Sequence, residues 1–171
     1  ASTLLSKALV VGWYQGRSEW GPRALGNRSI LADPSVKDMK NIINSKIKRR
    51  ESFRPFAPSV LKEDVTTYFE QDVDSPFMMH VVKVKEKWQK RLPAITHVDG
   101  TGRLQTVDKE SNSLYYELIS KFRSKTGIGM LLNTSFNENE PVVDTPQQAY
   151  DCFNRTDMDA LCLGNYIMLK K

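Results

Sequence analysis

Short, uninterrupted apolar runs constrain this chain more than any other feature. Residues 8–14 (ALVVGWY) and 129–133 (GMLLN) are β-rich, too short for ordinary helices, and flanked by turn-forming residues. They read as buried strands. Segments of helical period lie between and around such runs, so strands and helices interleave irregularly along the chain. The pattern predicts one α/β domain with a mixed sheet, and no Gly/Ser linker, repeat or low-complexity stretch divides it.

The other elements follow from local chemistry. Residues 2–8 suit a short helix with Leu4 and Leu5 inward. Residues 21–26 (GPRALG) read as a turn or one helical turn with Pro22 at its start. Residues 28–32 suit a strand, closed by Asp33-Pro34. Ser35 is expected to cap a helix to Ile47, with Val36, Met39, Ile42 and Ile43 on one face. Pro55 and Pro58 break the chain into an extended segment, and a helix follows over 62–69. Residues 77–84 predict a strand with a Met-rich core face. Residues 94–98 and 103–107 suit a hairpin about Asp99-Gly100-Thr101-Gly102. Leu114, Leu118, Ile119 and Phe122 predict a helix over 112–125 that Gly127 ends. Thr145 and Gln148 form a capping box for a helix to Asn154, and strands at 161–162 and 166–169 finish the chain.

With 171 residues, 40% apolar and 26% charged, the chain can bury a core without disulfides. No apolar run approaches the roughly 18 residues of a membrane-spanning helix. Two cysteines, Cys152 and Cys162, read as reduced, partly buried thiols of a cytoplasmic protein. The first residue is not Met and a strand begins within ten positions, which leads us to expect a piece excised from a longer chain.

The net charge of +5 is local. Residues 37–54 hold Lys37, Lys40, Lys46, Lys48, Arg49, Arg50 and Arg54 against Asp38 and Glu51, and the remainder balances at 18 basic and 18 acidic residues. Such a cluster suits an anionic partner; it equally suits a solvated helix face with a basic end. Arg23, Arg28, Arg54 and Arg103 all sit at element ends or beside glycine and proline turns, and with Lys48 could line a polyanion pocket. Singly, each could as well form a surface ion pair. Residues 133–137 (NTSFN) place four polar side chains after a buried strand, where α/β sheets hold ligands, although such a turn can also bond its own backbone. His97 lies at a strand end beside Asp99. No His/Cys/Asp spacing resembles a metal cage, and neither GxxxxGK[ST] nor GxGxxG occurs, so any phosphate must be held by side chains.

Residues 16–32 (GRSEWGPRALGNRSILA) closely resemble the signature that opens the C-terminal domain of the O-carbamoyltransferases, which include nodulation and antibiotic-tailoring enzymes. Residues 48–58 (KRRESFRPFAP), 97–107 (HVDGTGRLQTV) and 133–137, followed by Glu140-Pro141, agree in the same order. The resemblance implies a YrdC-like fold for residues 1–171, a twisted mixed β-sheet flanked by helices. In the full enzyme this domain would follow an N-terminal Kae1-like domain of the actin-like ATPase fold. The YrdC-like domain would use carbamoyl phosphate and ATP, with magnesium on the substrate phosphates, to form carbamoyl-adenylate and release pyrophosphate. The absent domain, holding iron or zinc, would pass the carbamoyl group to a hydroxyl acceptor. By motif, Lys48 and Arg54 match the family's catalytic basic pair, Arg23 and Arg103 further anion-binding arginines, and Ser135 and Asn137 a Ser-x-Asn pair. The expected substrate-binding set is Arg23, Arg28, Lys48, Arg54, His97, Arg103, Ser135 and Asn137, with no protein-built metal site. A basic nucleic-acid-binding or non-catalytic docking module of the same fold is the alternative. Aromatic residues at 9%, none interleaved with the basic ones, weigh against a nucleic acid partner.

Overall fold

Eight strands form one mixed sheet in a computed structural model that describes residues 1–51 and 54–170. They are β1 (Val11–Tyr14), β2 (Arg28–Ala32), β3 (Ala57–Leu61), β4 (His80–Lys83), β5 (Thr101–Val107), β6 (Met130–Ser135), β7 (Ala160–Leu163) and β8 (Tyr166–Leu169). The order is β4-β5-β3-β6-β2-β1-β7-β8. The β3/β5 and β1/β7 pairs are parallel and the others antiparallel. Every residue of β2 and β3 is buried, as expected for interior strands covered by helices.

Helices α1 (Ser2–Leu5), α2 (Met39–Ile43), α3 (Val65–Tyr68), α4 (Glu86–Gln89), α5 (Ser113–Thr126) and α6 (Pro146–Arg155) complete the fold. Helix α5 packs on β3 and β6, and α6 on β1 and β7. Asn112 caps α5 by accepting from the Tyr115 N–H, and Gly127 ends it in the left-handed region. The capping box of α6 forms as its sequence predicts.

Several expectations are corrected. The first helix stops at Leu5, and no helical turn forms over 21–26. The helix expected from Ser35 starts only at Met39, because Asp33 Oδ1 takes both the N–H and the hydroxyl of Ser35. It then widens into a π-helical turn over Asn44–Lys48. The segment between the prolines is β3, a central strand. Pro58 is tolerated because pairing with β5 begins only at Ser59. The helix over 62–69 divides into a 3₁₀ turn, Lys62–Asp64, and α3. The Met-rich core face fails: Met78 is buried with positive φ, but Met79 is exposed and β4 begins at His80. No strand forms over 94–98; β5 starts inside the expected turn and pairs with β4 and β3. On α5, Tyr115 is buried and Leu114 exposed.

Candidate anion-binding site

The carboxyl end of β6 and the loop joining β1 to β2 border one recess, which a second recess adjoins. The first is lined by Arg23, Arg50, Arg103, Asn133, Thr134 and Ser135, with Pro22, Phe56 and Met78 among its walls. The second is lined by Lys48, Arg49, Arg50, Arg54, Ser135 and Asn137, with Glu51 and Glu138 at its border. Arg50 and Ser135 belong to both.

Lys48 closes the π turn, and Arg49 behind it adopts a left-handed φ of 45°. The turn buries the Lys48 side chain to 2% exposure. Its ammonium donates to the Ser135 carbonyl at 2.6 Å, the Asn137 carbonyl at 2.7 Å and Asn137 Oδ1 at 2.6 Å. Three N–H groups meet three oxygens, so Lys48 holds the turn after β6 in shape. Ser135 Oγ donates to Asn137 Oδ1 at 2.7 Å, and Asn137 Nδ2 donates to the Glu140 carbonyl at 2.7 Å. Burial, and next the Arg50 charge, lower the Lys48 pKa from 10.5 to about 7; Cys152 and Glu140 pull the other way. The ammonium therefore sits near its titration point at neutral pH.

Arg50 donates from Nε to Asn44 Oδ1 at 2.8 Å and lies over the Phe56 ring, 5.0 Å from its centroid. Burial and the nearby Arg54 hold its pKa below the usual arginine value. Burial and Arg23 do the same to Arg103. Among the described residues, no carboxylate lies within ion-pair distance of Arg23, Arg50 or Arg103. Glu51 offsets part of the charge on Arg50, and the like charges left without an ion-pair partner suit an anion of two or more charges.

The expected residues divide. Arg23, Arg103, Lys48, Arg54, Ser135 and Asn137 come together in the two recesses. Arg54 is half-exposed and paired with Glu51 at 3.1 Å; Ser52 and Phe53 lie outside the described residues. Arg28 is not with them. Its guanidinium is buried over the Tyr14 ring, 3.6 Å from the centroid, and donates to the carbonyls of Gln15 at 2.7 Å, Asn27 at 3.0 Å and Gly16 at 3.1 Å. The correction has a simple cause: two main-chain oxygens just after β1 and one just before β2 solvate the charge. His97 borders neither recess, and its Nδ1 lies 3.1 Å from Thr101 Oγ1. Burial, with smaller pushes from Arg103 and Lys40, lowers its pKa.

Arg50 is the residue missed as a site member; Asn133 and Thr134, part of the polar cluster at 133–137 but not of the expected substrate-binding set, also line the first recess. Arg50 reads in the sequence as one more charge in a basic run, and only the π turn brings it and Lys48 to one place. Arg49 is turned outward, paired with Glu138 at 3.0 Å.

Residues 2–170 match the family described as "Carbamoyltransferase C-terminus". The chain belongs to this family. It is 51% identical, over its whole length, to the nodulation protein NolNO of Sinorhizobium fredii, of which it covers 26%. It is 49% identical to the nodulation protein NolO of Bradyrhizobium diazoefficiens, covering 100% of the chain and 32% of the relative. Over 81% of the chain it is 44% identical to the 3'-hydroxymethylcephem-O-carbamoyltransferase of Amycolatopsis lactamdurans, covering 26% of that protein. This carbamoyltransferase C-terminal domain thus spans about a quarter to a third of the curated relatives it matches. In fold it is similar to full-length HypF solved in a phosphate- and nucleotide-bound form, with a TM-score of 0.61 at 16% identity over 95% of this chain and 20% of that one. The single, mixed α/β YrdC-like domain expected from the sequence is borne out, as is the family.

Proposed function

We propose that this domain forms carbamoyl-adenylate from carbamoyl phosphate and ATP. A carbamate oxygen, released from carbamoyl phosphate by water with loss of phosphate, would attack the α-phosphorus of ATP, and pyrophosphate would leave. The observation that carries the reading is the convergence of Arg23, Arg50 and Arg103, none paired with a carboxylate among the described residues, on a strand end that presents Ser135.

The chemistry asks little covalent work of the protein. Two polyanions must approach one another, and fixed cations offset the repulsion while holding the reacting atoms in line. Arg23 and Arg103 would serve one anion, Arg54 the other with the buried Lys48 charge beneath it, and Arg50 between them both. Ser135 and Asn137, held by the Lys48 ammonium, are placed to orient the carbamoyl amide or a ribose hydroxyl. Among the described residues no three His, Cys, Asp or Glu side chains cluster as a metal cage. On this reading magnesium would come with the nucleotide, held by phosphate oxygens and water, and would lower the charge of the leaving pyrophosphate.

Passage of the carbamoyl group to a hydroxyl falls, on this reading, to an N-terminal Kae1-like domain in the longer protein. Cys152 and Cys162 are both free and buried, which supports a reducing, cytoplasmic setting. No helix among the described residues is long and apolar enough to cross a membrane.

Calorimetric titration with magnesium-ATP, and separately with carbamoyl phosphate, tests the proposal. We expect both to bind, and carbamoyl phosphate to drive exchange of labelled pyrophosphate into ATP. Absence of binding for both ligands would overturn it. Steep loss of binding to a single-stranded oligonucleotide with added salt, alongside no ATP binding, would favour the nucleic-acid module instead.

A further inference from the structure

Three polar side chains occupy central strands where aliphatic residues would pack at no desolvation penalty. Ser59 of β3, Gln105 of β5 and Asn133 of β6 are each exposed by 3% or less. Ser59 and Gln105 are register partners, and β6 pairs with the other edge of β3. Ser59 Oγ donates to Gln105 Oε1, and Asn133 Nδ2 reaches both Ser59 Oγ and Gln105 Oε1 at 3.0 Å. A polar network this deep is expensive unless it has a task, the more so because Asn133 Oδ1 finds no hydrogen-bond partner among the described residues.

Its outward bonds identify the task. Asn133 Nδ2 donates to the Ala24 carbonyl at 3.0 Å, and Gln105 Nε2 to the Leu25 carbonyl at 2.9 Å. Both carbonyls belong to the 21–26 loop, which has no helix or strand of its own. Other anchors grip the same loop. Glu19 Oε1 accepts from the N–H groups of Leu25, Asn27 and Arg28 at 2.9, 2.6 and 3.2 Å, and the Trp13 indole donates to the Gly26 carbonyl at 2.8 Å. Gly26 holds a φ of +112°, and a Cβ there would run into the Tyr115 ring. The main chain is thus immobilised immediately after Arg23, whose own side chain stays exposed at the mouth of the first recess.

We propose that Ser59 and Gln105, with Asn133, are positioning residues that set Arg23 opposite Arg103, and so fix the spacing at which the recess accepts a phosphate-type anion. The inference rests on the anion-binding reading above. Ser59 and Gln105 border neither recess and act through the carbonyls of Ala24 and Leu25. The trio is the reason that a loop, rather than a helix end, can carry a precisely aimed guanidinium.

The test uses the 171-residue chain, inorganic pyrophosphate as probe, and trypsin cleavage after Arg23 as a second readout. Gln105→Met keeps the volume and removes the donor to Leu25. We expect pyrophosphate binding to weaken about tenfold, the scale of one charge-assisted hydrogen bond lost, and cleavage after Arg23 to accelerate. Arg23→Met should then weaken binding much less in the Gln105→Met background than in the unmodified chain, because the two changes remove one interaction. Ser59→Ala, which deletes a single hydroxyl, carries the same comparisons if Gln105→Met does not fold. Equal effects of Arg23→Met in both backgrounds, or unchanged cleavage in both network variants, would overturn the positioning role. Failure of the unmodified chain to bind pyrophosphate would overturn the anion-binding reading instead, and the cleavage rates would still decide the network.

Discussion

The ammonium of Lys48 and the carbonyl of Ser135 lie 2.6 Å apart although 87 residues separate them in sequence. This bond joins the π turn to the exit of β6, and it puts a buried, titrating cation at the second recess. In the unfolded chain Lys48 keeps its proton up to about its ordinary 10.5; in the folded protein it does so only to about 7. Between those values the unfolded state binds more protons, so the Lys48 contribution to stability rises with pH across that window and is least favourable below it. Denaturant unfolding of the wild type and Lys48→Met, stepped from pH 7 to pH 10.5, should show the extra rise in the wild type only. Pyrophosphate affinity should move oppositely, falling as the ammonium loses its proton.

Arg103 repels Arg23 in the free protein. Arg103→Met should leave the unfolding temperature unchanged or slightly raised at low salt, yet weaken pyrophosphate binding by one to two decades, from about 1.5–3 kcal/mol for a charge-assisted hydrogen bond. Scanning calorimetry beside a binding titration checks both halves. A large fall in unfolding temperature would mark Arg103 as structural.

Arg28 should behave in the reverse manner. Removing its guanidinium in Arg28→Met takes the donor from the buried Gln15 carbonyl and from the exposed Gly16 carbonyl, while the Asn27 carbonyl keeps the Gln15 N–H, and an unmet buried group costs about 1–3 kcal/mol. Chemical denaturation should show a loss of that order. Pyrophosphate binding, measured well below the new midpoint, should stay within about threefold of wild type, well under one such bond.

Ser135→Ala removes the hydroxyl's donation to Asn137 Oδ1 at 2.7 Å and its long bond from the Lys48 ammonium at 3.4 Å. Its effect on the free protein should be small, about 1 kcal/mol, since Lys48 still holds both residues by their other oxygens. The thermal shift produced by magnesium-ATP should nonetheless shrink. A strong loss of unfolding temperature with the ligand-induced shift intact would assign the hydroxyl to the turn alone.

Legibility followed local chemistry. Strands β1, β2 and β6, the long helix α5 and the capping box of α6 could be read directly, because burial, period and caps are written in adjacent residues. Strand β3 could not. Two prolines within four residues signal a break, and only partners 46 and 74 residues away in sequence, Gln105 and Asn133, disclose Ser59 as part of a central strand. Arg28 illustrates the same limit from the site's side. Beside a glycine turn it looks like an anion ligand, yet carbonyls at the end of β1 claim it first. Arg50 lay hidden in a basic run because helical phase predicts α-helix geometry, and a π turn changes which side chains share a face.

The strand order carries one more consequence. Neighbours β3, β5 and β6 come from widely separated parts of the chain, and the cations of the two recesses sit on the β1–β2 connection, the π turn with the segment that follows it, and β5. No contiguous fragment can assemble this pocket, so a bound anion holds the whole domain closed rather than any single motif. The opening that destroys the site is therefore the global one, and amide hydrogens on β3, β5 and β6 that exchange through it should all slow by the same factor when an anion binds.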